Sequence, residues 1–160
     1  MTKFFLAVHV LAAILAIGPV AVAASMFPTA ARRAADRSTA DRNTQAGGPA
    51  VLRVLHRVCR VYAVAGLAVP VFGFATASAL GVLGDAWVIA SVALTGAAAA
   101  ILALAVLPRQ DTVLARLTAG DPPSADAGAA RLAMPTGVFN LLWAAVTVLM
   151  IVRPGSTTGV

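Results

Sequence analysis

Four long stretches of this chain are apolar and contain no charged residue. They cover residues 4–31, 61–84, 86–108 and 132–152. An α-helix rises about 1.5 Å per residue, so about 20 residues cross a hydrocarbon core of about 30 Å, and each stretch is long enough to do so. The pattern predicts an all-α fold, a four-transmembrane-helix bundle with spans at about residues 4–28, 61–83, 86–107 and 132–152.

The composition leaves little room for a domain outside these spans. Of the 160 residues, 60% are hydrophobic and only 11% are charged, whereas soluble domains carry about 25% charged residues. We therefore interpret residues 1–160 as a single integral membrane domain. Lys3 is the one lysine and glutamate is absent, while arginine and alanine are abundant, a bias typical of GC-rich bacterial genomes.

Most of the basic residues lie in the two segments that follow the first and third apolar stretches. They are Arg32, Arg33, Arg37, Arg42, Arg53, Arg57, Arg60, Arg109, Arg116 and Arg131. Only Lys3 and Arg153 lie on the other side of the predicted membrane. Because basic residues collect in cytoplasmic loops, we expect both termini outside and two cytoplasmic loops, at about residues 29–60 and 108–131. The expected location is the bacterial plasma (inner) membrane, which the chain crosses several times.

The net charge of +6 also raises the question of a nucleic-acid partner. No aromatic residue interleaves the arginines from Arg32 to Arg60, so the sequence does not indicate a base-stacking surface. Arg53, His56, Arg57 and Arg60 recur at helical spacing, which predicts a helical segment over residues 50–60 among anionic lipid headgroups. We expect the lipid bilayer to be the partner of this segment, and we expect no nucleic acid.

The first apolar stretch also has the outline of a secretory signal. Lys3 precedes an apolar segment, and Ala21, Val22 and Ala23 are typical of a cleavage site. Cleavage would place the arginines of residues 32–60 on the outer face, against the charge rule. An uncleaved first span is the favoured interpretation, and cleavage is its alternative.

Prolines and glycines divide the predicted helices. Pro70 and Gly73 predict a bend in span two, and Pro108 predicts the end of span three. A short outer turn at residues 81–85 predicts that spans two and three are antiparallel neighbours.

The spans carry no pattern for acid–base or nucleophilic chemistry. Such catalysis needs paired carboxylates or a nucleophile beside a base, and none of the six aspartates lies in a span. Cys59 is the single cysteine, which excludes an intramolecular disulfide and a cysteine-based zinc cluster. An enzyme is therefore the less favoured interpretation.

His9 is the one histidine inside the predicted spans. An imidazole in a membrane is costly without a partner, and a neutral imidazole can bind haem iron. Two interpretations stay open: a histidine that bonds to water or to a neighbouring helix, and an axial ligand of haem b. Met150, near the outer end of span four, is the expected second ligand, because His56 lies about 20 Å away by helical rise.

A weaker metal-site hypothesis concerns the inner end of the bundle. Met26, His56, Cys59 and Met134 all fall near that end, and thioether and thiolate ligands suit Cu(I). Methionine more commonly fills space in a core. Whether the four residues converge is open from the sequence.

Span four carries polar side chains at Thr136, Asn140 and Thr147. We expect Asn140, near mid-membrane, to bond to another span, with Ser91 or Thr95 of span three as its partner. Such a bond is worth about 0.6 kcal/mol on average, so helix association accounts for these residues. A polar lining for a ligand is the alternative.

Two short segments resemble known proteins. Residues 5–13, FLAVHVLAA, followed by Gly18 and an arginine-bearing end, and residues 55–62, LHRVCRVY, resemble an uncharacterised group of actinobacterial-type four-helix integral membrane proteins of unknown function. More distantly, span one is similar to copper-resistance D-type proteins and to membrane-bound protoporphyrinogen oxidases. Those oxidases have a haem-associated histidine early in their first span, which implies a haem ligand at His9.

These patterns favour a small polytopic inner-membrane protein without catalytic machinery. We interpret it as an accessory or assembly-type protein, with other membrane subunits or a second copy of the chain as partners. The alternative function is a haem-b-binding or redox membrane protein that uses His9 as an axial ligand.

Overall fold

A computed structural model describes residues 2–40, 48–119 and 125–155, with side chains for residues 3–35, 50–119 and 130–155. Its elements are α1 (Thr2–Ala40), α2 (Gly48–Ala65), α3 (Ala68–Leu80), α4 (Ala86–Ile101), a π-helical segment (Leu102–Val106), α5 (Leu107–Thr118) and α6 (Ala125–Val152). In this part of the chain they form four stretches long and apolar enough to cross a membrane, Lys3–Ala35, Ala50–Leu80, Ala86–Thr118 and Ala130–Val152. The predicted all-α four-helix fold is confirmed.

The helices continue well past the apolar stretches. α1 extends to Ala40, α5 extends to Thr118, and α2 begins at Gly48, which confirms the helical segment expected over residues 50–60. The segments expected as loops, 29–60 and 108–131, are therefore helical over much of their length. Alanine and arginine are good helix formers in water, so a helix does not need to end where the hydrocarbon ends. Residues 41–47 and 120–124 lie outside the described ranges.

The helix of span two, where a bend is predicted, is interrupted before Pro70 rather than at it. Gly66 and Leu67 separate α2 from α3. Proline has no N–H to donate to the carbonyl four residues earlier, which here belongs to Gly66. That carbonyl instead accepts the N–H of Val69 at 3.0 Å, so the helix tightens one turn ahead of the proline.

The prediction that Pro108 ends span three is wrong. The helix continues from α4 through the π-helical segment into α5, where Pro108 lies in the first turn. A proline within a helix lacks one donor, and its ring crowds the carbonyl of the preceding turn. The wider π turn immediately before it gives that turn more room, so the chain stays helical to Thr118.

The second and fourth spans pack against α1, and the third span packs mainly against the fourth and the second. α1 contacts α2, α3 and α6, while α4 packs against α6 and α5 packs against α2. The third span therefore lies against the fourth along α4 and against the second along α5. We call the end of the bundle with Arg32, Arg53 and Arg109 the inner end, and the end with the 81–85 turn the outer end, after the predicted orientation.

Small side chains dominate the centre of the bundle. The largest cluster of buried residues draws on all four spans: Val20, Ala23, Ala24, Cys59, Ala98, Leu102, Val106 and Phe139. Lipid tails are as apolar as leucine, so close backbone approach at small residues is what brings such helices together. Large apolar side chains such as Leu104 and Ile151 face outward instead.

Aromatic and charged groups join α4 to the end of α6 at the outer end. The indole N–H of Trp87 donates to Asp85 Oδ2 at 3.0 Å. The guanidinium carbon of Arg153 lies 5.7 Å from the centre of a Trp87 ring, in the geometry of a cation–π contact. Arg153 Nε also lies 3.3 Å from the carbonyl oxygen of Met150. These contacts join the third and fourth spans at the outer end of the bundle.

Candidate functional site

His9 joins α1 to α3 through a backbone carbonyl. Its Nδ1 lies 2.9 Å from the carbonyl oxygen of Val69, and because a carbonyl can only accept, the ring N–H is on Nδ1. The ring also lies against Gly73, where a Cβ would come within 3.0 Å of Cε1. The lone pair of a neutral ring in this position would lie on Nε2, which is the atom that a metal would use.

Met150 lies at a different level of the bundle from His9. It packs against the outer cluster of Ala77, Trp87 and Val88. Val69 and Gly73, which contact His9, precede Ala77 by two turns and one turn, so the His9 ring lies about 6–12 Å closer to the inner end. The structure therefore gives no support to Met150 as the second ligand of an iron held by His9.

The inner end holds a buried polar cluster that links α2 to α5. Gln110 is completely buried, and its amide nitrogen lies 3.6 Å from Cys59 Sγ. Its Oε1 lies 3.0 Å from Nδ1 of the buried His56, whose N–H it accepts in this amide orientation. Asp111 Oδ1 approaches His56 Nε2 to 3.0 Å, although the two are not aligned as a hydrogen bond. We call these four residues the His56 cluster.

His56 does not share the face of its arginine neighbours. Arg53, Arg57 and Arg60 are exposed, as a headgroup-contacting face requires. His56 is only 7% exposed and points toward α5, so its expected place among the headgroups is corrected here. Helical spacing predicts all four residues on one face of α2. His56 lies at the edge of that face, where α5 covers it.

The residues of the copper hypothesis do not form one site. His56 and Cys59 meet at Gln110, but Met26 is 54% exposed and Met134 is 77% exposed on the outside of the bundle. Within the described residues no group of three or more His, Cys, Asp or Glu side chains is placed to hold a metal ion.

Asn140 joins α6 to α1, not to the third span. Its Nδ2 donates to Ser25 Oγ at 2.9 Å. The expectation that Asn140 bonds to another span is confirmed, but the expected partners were wrong. Ser91 is fully buried and donates to the carbonyl of Trp87 in its own helix at 2.8 Å, while Thr95 is half-buried.

Thr147 likewise bonds within its own helix, to the carbonyl of Trp143 at 2.9 Å. Such bonds to the preceding turn satisfy a hydroxyl without joining two helices. Among the described side chains of α6, three other polar atoms are buried and have no hydrogen-bond partner: Thr136 Oγ1, Asn140 Oδ1 and Trp143 Nε1.

Two of those atoms belong to residues that line an open cleft between α1 and α6. The cleft has a volume of about 290 Å³, and its polar lining residues are Ser25, Thr29, Arg32, Thr136 and Asn140. Small or rigid residues complete it: Pro28, Ala133 and Gly137. The lining of this cleft thus includes two residues with a buried polar atom that has no partner among the described residues.

Sequence reasoning missed Ser25, Gln110 and Asp111. Ser25 and Thr29 are four residues apart and so share one face of span one, which was a readable signal. Gln110 and Asp111 fall just past the third apolar stretch, where a loop was expected, so nothing in the sequence pointed them toward α2.

No protein-family model, curated protein or solved structure matches this chain.

Proposed function

We propose that this chain is a non-catalytic accessory or assembly-type protein of the bacterial plasma membrane. One observation carries the proposal: three polar side chains of the spans each join two helices. His9 joins α1 to α3, His56 joins α2 to α5, and Asn140 joins α6 to α1. Polar side chains that bond one helix to another fix the relative positions of the helices. A bundle with fixed helix positions suits a protein that binds and positions other membrane proteins.

The outer surface supports the same proposal. Gly96 and Ala100 are exposed on α4, and a Cβ built at Gly96 would meet nothing within 4 Å. Small residues four apart let the backbone of a second membrane helix approach closely. We therefore take this face of α4 as the contact for a partner subunit.

Extraction from native membranes in a mild detergent tests the proposal. We expect the chain to migrate as a complex with a second membrane protein in fixed stoichiometry, identified by mass spectrometry after cross-linking. Gly96→Leu should release that partner, whereas Gly18→Leu, at another open helical glycine, should not. Migration of the wild-type chain alone, in every mild detergent tried, would contradict an accessory role.

Haem b binding is a second candidate, favoured by one specific observation. The Val69 carbonyl fixes the His9 proton on Nδ1, which is how proteins usually orient a histidine that ligates a metal through Nε2. The remaining residues fit less well, since Met150 lies at another level. His9 would therefore be the single protein ligand among those we identify.

A pyridine haemochrome assay and a reduced-minus-oxidised spectrum distinguish the two candidates. The accessory proposal expects a colourless protein from haem-replete cells. If haem is present, His9→Gln should lose it, because the amide can still donate to Val69 but does not ligate iron. Haem retained in His9→Gln would exclude His9 as the ligand.

A further inference from the structure

We propose that the cleft between α1 and α6 binds the phosphate and ester region of an anionic phospholipid from the inner leaflet. This site is separate from the histidines and from the α4 face proposed for a partner. Lipid binding at the cleft therefore does not depend on the proposed function. The depth of the cleft, its unpartnered polar atoms and its charge all support binding of such a lipid.

The polar lining residues lie at successive depths along the axis of the bundle. Ser25 and Asn140 bond to each other and close the deep end. Arg32 lies seven residues beyond Ser25 in α1, about 10 Å closer to the inner end by helical rise. The hydroxyls of Thr29 and Thr136 lie between these levels, each one turn from the deep end, and both line the cleft. A ligand here is met by a cation at the mouth and by neutral polar groups below it.

Two residues that line the cleft each carry a buried polar atom without a partner among the described residues. Thr136 is 3% exposed, and its Oγ1 makes no hydrogen bond, although a threonine in a helix can bond to the preceding turn. The Oδ1 of Asn140 is also unpaired. An unpaired polar group out of reach of bulk water costs about 1–3 kcal/mol, so these atoms favour a bound polar ligand.

The charge of the cleft selects an anion. Arg32 is exposed, makes no ion pair with a described residue, and is the one charged side chain among the lining residues. A guanidinium offers paired N–H donors whose spacing matches two phosphate oxygens. A zwitterionic headgroup would bring a second cation toward Arg32, so the cleft should discriminate in favour of a net anionic lipid.

The cleft opens toward the lipid, which identifies the source of the phosphate. Ser25, Thr29, Ala133 and Gly137 are all exposed on the outer surface of the bundle. In a phospholipid the ester carbonyls lie deeper than the phosphate, so they reach the level of Thr29 and Thr136 when the phosphate is at Arg32. A free phosphate at Arg32 would leave Thr136 unpaired.

Binding of a short-chain fluorescent phosphatidylglycerol to the full chain in detergent tests this proposal. We expect Arg32→Gln to weaken binding at least about tenfold, the size of one lost charge-assisted bond. The matched control is Arg33→Gln, which removes the same charge from an exposed neighbour outside the cleft and should change the dissociation constant less than about twofold. Phosphatidylcholine of the same chain length should bind weakly to every variant.

The hydroxyl of Thr136 should contribute to lipid binding independently of Arg32. Thr136→Val should weaken binding several-fold and Thr136→Ser should restore it. If Thr136→Val does not fold, Thr29→Val gives the same test at an exposed position. Equal losses in Arg32→Gln and Arg33→Gln, unchanged binding in both valine variants, or full displacement by millimolar inorganic phosphate would each overturn the proposal.

Discussion

At the scale of single residues, a polar side chain inside the membrane needs a partner, because hydrocarbon offers no hydrogen bond. His9 meets this need with the backbone carbonyl of Val69, whose oxygen has two lone pairs and can accept a bond from the ring as well as from its own helix. Gly73 makes the contact fit, since any larger residue would occupy the space of the ring.

Gly73→Ala tests this contact. A Cβ at this position would lie 3.0 Å from Cε1 and 3.2 Å from Nδ1 of His9, so the ring must move away from Val69. We expect the free energy of unfolding in detergent to fall by about 1–2 kcal/mol, as for other overpacked sites.

The matched control is Gly96→Ala, also a helical glycine but with no atom within 4 Å of the added Cβ. Its unfolding midpoint should equal that of the wild type or exceed it slightly. Equal stability of the two variants would contradict the packing described for His9.

At the scale of elements, the chain accommodates Pro70 and Pro108 in two different ways, and buried polar contacts then join the helices. A break precedes Pro70, whereas a π-helical segment precedes Pro108. The sequence predicted both disturbances, because a missing N–H is a local property. The sequence did not predict which of the two prolines would be followed by a continued helix, because that outcome depends on packing. The helix continues past Pro108 as α5, which packs against α2.

A double-mutant cycle on the His56 cluster measures how strongly α2 and α5 are coupled. His56→Leu and Gln110→Leu should each lower the free energy of unfolding by about 1–3 kcal/mol, since each leaves a buried polar group without its partner. The double variant should lose about 0.5–1.5 kcal/mol less than the sum of the two single losses.

Arg57→Gln is the control for that cycle, because Arg57 is exposed one residue away. It should change the stability by less than about 0.5 kcal/mol. Additive losses in the double variant would show that His56 and Gln110 do not interact.

At the scale of the whole molecule, the fold was predictable and the candidate site was only partly so. The four spans follow from local hydropathy and length, and they are confirmed. Thr136 and Asn140 were recognised as polar residues of span four, but the cleft they line also needs Ser25, Thr29 and Arg32. The Asn140–Ser25 bond joins residues 115 positions apart, and no local pattern determines which spans become neighbours.

The orientation of the bundle underlies the remaining proposals. The arginines of the inner end determine which leaflet supplies the lipid for the cleft and which compartment the His56 cluster faces. Basic residues favour the cytoplasmic side, and ten of the twelve basic side chains belong to the segments around that end. Four spans return the chain to the side from which it started, so both ends should lie outside.

A dual reporter fused after Val160 tests this claim most directly. It joins a phosphatase active only outside the cytoplasm to a fluorescent protein that matures only within it. We predict high phosphatase activity and no fluorescence. Fluorescence without phosphatase activity in the unmodified chain would contradict the orientation and, with it, the inner-leaflet lipid site.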